Sequence, residues 1–74
     1  MTRSEKERIA EVLEFLKTTK AINSYEIDDM NFVIKISTNE KDERDIEFLK
    51  FKIIVVATVV NETFENKLVV EIID

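Results

Sequence analysis

Cysteine, histidine, glycine, proline and tryptophan are all absent from this 74-residue chain. Without cysteine or histidine there is no disulfide, no thiolate or imidazole metal ligand, and no Ser-His or Cys-His nucleophile. Much enzymology is excluded, and no cofactor or metal is implied. Average usage of roughly 7% glycine and 5% proline would give about nine such residues here. Together with abundant Ile, Lys, Asn and Glu, their absence points to an AT-rich gene and away from an idealised design, which places glycine at hairpins and helix ends.

A basic surplus is missing too. Eleven Lys and Arg face sixteen Asp and Glu, for a net charge of −5 and a pI near 4.7. That disfavours direct contact with nucleic acid or an anionic membrane and suits a basic protein partner. The longest unbroken apolar run, residues 53–57, is too short to span a bilayer, and MTRSEKER lacks the apolar core of a signal peptide. A cytoplasmic location is expected.

What is present makes one small domain, residues 1–74, near the lower size limit for folding without a staple. A domain of this size has a net stability of about 4 to 11 kcal/mol, so burial against a partner would add usefully. Its axis is residues 46–60, IEFLKFKIIVVATVV. Counted in twos, Phe51, Ile53, Val55, Ala57 and Val59 form one apolar face, which predicts a strand. The other face carries Ile54, Val56 and Val60, as in a strand covered on both sides. Fifteen extended residues would span about 50 Å, too long for this domain, so a bulge is inferred near Leu49 and Lys50.

Before that axis, residues 4–20 read as an amphipathic helix with Ile9, Val12, Leu13 and Leu16 on one stripe. Either Ser4 with Glu7 or Thr2 with Glu5 fits a capping box. Tyr25 and Ile27 alternate in one phase and Phe32, Ile34 and Ile36 in the other, which predicts a hairpin with Ile27 opposite Phe32. Asn31 is the expected left-handed residue of its four-residue loop. Residues 37–45 read as a polar connection. The last segment is expected to pair antiparallel with residues 46–60, either with Leu68 meeting Val55 and Lys52 meeting Glu71 or in a register four positions along that puts Phe64 in the turn. The expected fold is α+β: one N-terminal helix on one face of a three- to four-stranded antiparallel meander, α-β-β-β-β. Phe51 is its expected core residue, with Phe51→Ala costing about 3 to 5 kcal/mol.

Two surfaces carry the functional expectation. Val33, Ile54, Val56, Val69 and Ile73 form an apolar second sheet face that suits a homodimer or partner interface. Glu26, Asp28 and Asp29 on the hairpin, with Glu40, Asp42, Glu43 and Asp45 on the polar loop, read either as an imitation of a phosphate backbone's charge or as a plain solvated surface that keeps a small protein soluble. The expected function is therefore a small non-enzymatic interaction protein that binds and occludes a basic, nucleic-acid-handling protein. By analogy of size, acidity and composition alone, that is the inhibitor type found on phages and mobile elements, anti-CRISPR proteins among them. The alternative is a structural or assembly domain that homodimerises through its sheet. The acids of NEKDERD do not follow an EF-hand spacing, and no catalytic arrangement is present among Ser, Thr, Lys, Tyr25 and the acids.

Overall fold

The computed structural model describes residues 1–73, and its first helix, α1 (Arg3–Thr18), begins at the earlier of the two capping boxes. Thr2 Oγ1 accepts from the Glu5 N–H at 3.1 Å while Glu5 Oε1 accepts from the Thr2 N–H at 2.7 Å. Two otherwise orphaned donors are satisfied in this way. The helix stops in a Schellman turn: the Lys20 N–H reaches the Lys17 carbonyl and the Ala21 N–H the Leu16 carbonyl. With no glycine available, Lys20 itself takes the left-handed conformation, φ 66°.

Strands β1 (Ser24–Asp28) and β2 (Val33–Ser37) form the expected antiparallel hairpin, but the register differs. Ile27 lies opposite Ile34, not Phe32, and Tyr25 opposite Ile36. Phe32 belongs to the loop and is its left-handed residue, φ 55°. Asn31 instead donates its backbone and side-chain N–H groups to the Asp28 carboxylate. Phe32 is held by a tilted contact with the Phe64 ring at 6.0 Å. Aromatic packing, worth about 0.5 to 1.5 kcal/mol beyond burial, offsets the backbone strain that a bulky side chain pays there.

The main correction is residues 46–60. They lie in a helix, α2 (Glu43–Val60), and not in a strand. Asp42 caps it by accepting from the Arg44 N–H at 2.8 Å. Leu49, Ile53 and Ala57, four apart, are its buried line. Eighteen helical residues span about 27 Å, against which the molecule measures 31 × 22 × 19 Å. The excess length that extended chain would have had is thus absorbed by coiling, and no bulge is needed.

The helix is also what the sheet topology requires. After a single 3-10 turn (Glu62–Asn66), β3 (Val69–Ile72) joins β2 in parallel, giving the order β1-β2-β3. Parallel neighbours cannot be joined by a tight turn, so α2 serves as the crossover. The fold is α+β with two helices and a three-stranded mixed sheet, in place of one helix on an antiparallel meander. Leu68 and Glu71 accordingly do not face Val55 and Lys52.

Both helices cover one face of the sheet. Ile9 and Leu13 from α1, Leu49, Ile53 and Ala57 from α2, and Ile34, Ile36 and Val70 from the sheet close a single core with Ile22, Phe64 and Leu68. Phe51 is not part of it: 62% of its surface is exposed. Thr38, the one buried polar residue among those described, donates to the Ala21 carbonyl at 2.9 Å. Among the described residues no helix is long and apolar enough to cross a membrane.

Candidate functional site

The two helices run in opposite directions. At one end the α2 cap residue Asn61 donates its side-chain N–H to Glu5 Oε2 at 2.7 Å, in the first turn of α1. At the other, Val12, Phe15 and Leu16 of α1 face Phe48, Phe51, Lys52, Val55 and Val56 of α2 across an open groove of about 380 Å³. Lys52 is its one charged lining residue, and its ammonium lies 4.6 Å from the centroid of the Phe48 ring, where the π-face attracts it.

Beyond the groove the apolar surface continues along α2, past Phe51, Ile54, Val55, Thr58 and Val59 to Glu65 of the 3-10 turn. Phe48, Phe51, Val55 and Val59 follow spacings of three and four, so they share one side of the helix. That side points away from the Leu49, Ile53 and Ala57 line. Phe15, Phe48, Phe51, Val55 and Val59 are 65%, 58%, 62%, 44% and 78% exposed. At about 200 Å² per phenylalanine, and somewhat less per valine, these five side chains present roughly 550 Å² to solvent. This is about a tenth of the 5143 Å² surface and lies near the top of the range for apolar patches on monomers. A helix apolar on opposite sides is one that expects cover on both.

The apolar interface expected from the sequence is divided by the structure. Val33, Val69 and Ile73 do lie on the open face of the sheet. They are mixed there with a charged row in which Lys35 stands between Glu26 and Glu71. Opposite charges directly across a sheet attract, so this row suits water. Ile54 and Val56 are on α2 and cannot belong to that face, which corrects their assignment. They border the helix-pair surface instead.

The seven acids also separate. Asp28 closes β1 opposite Val33, at the hairpin end of the sheet, and hydrogen bonds from Asn31 hold its carboxyl below the usual range. Asp29 sits in the adjoining turn, 3.9 Å from the Lys6 ammonium, with its carbonyl accepting from the N-terminal ammonium at 3.0 Å. Glu26 is on the open face. Glu40, Asp42, Glu43 and Asp45 gather at the other end, where Ser24 meets Ser37 and Asn23 bonds Asn39. Roughly 13 to 16 Å of strand lies between the groups. Asp42, Glu43 and Asp45 are cap and first-turn residues of α2, not loop residues. The charge of Glu40, then burial, then the charge of Asp42 push the Asp45 carboxyl up. Among the described residues, no group of three or more acids is placed to hold a metal ion.

Phe15, Phe48, Phe51, Val55 and Val59 are the surface that a strand reading conceals. Its signal is a second helical stripe at 48, 51, 55 and 59, interleaved with 49, 53 and 57. The chain matches no protein-family model, no curated protein and no solved structure with which it was compared.

Proposed function

We propose that this chain is a non-enzymatic protein-interaction module, completed when a protein partner covers the face formed by α1 and α2. The observation that carries this reading is the exposed stripe of Phe15, Phe48, Phe51, Val55 and Val59. From Phe48 to Val59 it runs about 17 Å along the helix, open at both ends, which suits another protein surface better than an enclosed small ligand. A photo-crosslinking side chain placed at Val55 in cells is expected to give protein adducts, and one at Glu11, on the polar side of α1, to give none. Adducts at neither position, or equally at both, would overturn the reading.

A second reading is supported by the acidic end of α2. The charge of Glu40, then burial, then the charge of Asp42 raise the Asp45 carboxyl, so part of its shift is repulsion from its neighbours. A basic, nucleic-acid-handling protein seated there would relieve that repulsion and be occluded, the mode of a phage-type inhibitor. Neutralising Glu40, Asp42, Glu43 and Asp45 together should then weaken partner binding and flatten its salt dependence. A partner whose affinity ignores both changes would count against it.

A further inference from the structure

We infer that the protein covering the helix-pair face is a second copy of this chain, related by a two-fold axis, so that two helix layers, one from each copy, pack between two outward-facing sheets. The inference rests on the interaction reading above and names its partner. Three observations lead to it.

The first is area. Two copies of the five-residue patch bring together roughly 1,100 Å², above the roughly 1,000 Å² in total that a specific interface needs though short of the roughly 800 Å² a side of a standard one. The second is composition. Among the described residues Lys52 is the single charged group in the groove, and its ammonium already sits over the Phe48 ring. Heteromeric interfaces are about as polar as ordinary surface, whereas homodimer interfaces are more apolar, as this face is. The third is symmetry. An isologous contact uses the same patch twice, so no complementary surface is needed elsewhere, and two antiparallel helix pairs stacked on each other give the packing of a helical bundle. The charged sheet row of Glu26, Lys35 and Glu71 then stays in water, and so do the acids at the end of α2.

Charge supplies a signature that separates this occupant from a basic one. Two copies of net charge −5 repel at long range, so added salt screens the repulsion and tightens the dimer. A basic partner would be held less tightly as salt rises.

Sedimentation equilibrium on the intact chain tests this. The wild type is expected at twice 8.7 kDa, with a dissociation constant that falls as NaCl goes from about 50 to about 500 mM. Phe51→Glu should weaken the dimer by at least about 30-fold, the scale of a hot-spot loss, and Val55→Glu should repeat the effect. Val69→Glu, on the open sheet face, should leave it unchanged. Circular dichroism on each variant identifies any that fail to fold. A dimer that survives both helix-face substitutions, or one broken by Val69→Glu alone, overturns the inference. A wild type that is monomeric at about millimolar concentration does so too. If that monomer still gives Val55 adducts of other masses in cells, the second copy is ruled out and the interaction module stands. With no adducts, both fall.

Discussion

At the scale of single residues, the missing glycine and the helix caps make the sharpest expectations. Lys20 is exposed and adopts φ 66° at the end of α1, a conformation that costs an L-residue with a Cβ about 1 to 2 kcal/mol and glycine almost nothing. Lys20→Gly should therefore stabilise the fold by about 1 kcal/mol once the extra unfolded-state freedom of glycine is counted, read as a higher denaturant midpoint. At the opposite end, Thr2→Ala removes a capping hydroxyl and should cost about 0.5 to 2 kcal/mol. Titration adds a third expectation. The Thr2 N–H, then Asn61, hold the Glu5 carboxyl below its ordinary 4.5, and Asn31 holds Asp28 below 3.8. A depressed carboxylate stabilises the fold above its unfolded value and loses that contribution as pH falls through the folded one. Acid unfolding should thus draw on Glu5 below about pH 4.5 and on Asp28 below about 3.8, and Asn61→Ala should flatten the first part of the profile. Asp45 runs the other way: Glu40→Gln should bring its carboxyl down toward the ordinary range, as followed by NMR.

At the scale of elements, α2 separates two substitutions that a strand would make alike. Ile53 is buried at 2% exposure and Phe51 is not, so in dilute protein Ile53→Ala should cost about 2 to 5 kcal/mol and Phe51→Ala less than about 1. Thermal melts of the pair distinguish a helix from the strand that period-two counting suggests, since the strand places both on one buried face. The reason α1 is legible in the sequence and α2 is not lies in contrast. Around Ile9 and Leu13 the polar residues Arg8, Glu11 and Glu14 mark where the apolar stripe ends, and the period of 3.6 stands out. Along α2 the side opposite the buried line carries Phe48, Phe51, Val55 and Val59, so polar contrast between residues 48 and 60 is left to Lys50, Lys52 and Thr58 alone. β-branched residues then tip the balance toward a strand. The hairpin is legible as alternation, yet its register depends on whether Phe32 pairs or turns. A contact with Phe64, thirty-two positions later, decides that. The parallel placement of β3 is hidden for a related reason: it follows only once the crossover is known to be helical.

For the whole molecule, the apolar excess is legible in the sequence as composition, but the step from it to a partner-seeking sheet face depends on a strand at residues 46–60 and falls with that strand. Ile54 and Val56 lie on α2, and the sheet face that a strand reading gives them carries Glu26, Lys35 and Glu71. Placing the surplus on the helices predicts that a dye sensitive to apolar surface binds Phe51→Glu less than wild type under conditions that keep both monomeric, while Val69→Glu changes little. The parallel pairing of β2 with β3 has a kinetic consequence as well. The Val33–Val69 contact closes a loop of 36 positions that contains all of α2, whereas the helices and the hairpin form from neighbours in sequence. No prolyl bond exists to contribute a slow isomerisation. Docking of the third strand is then the event a stopped-flow refolding trace should time. Val70→Ala should slow it where substitutions confined to the β1-β2 turn do not.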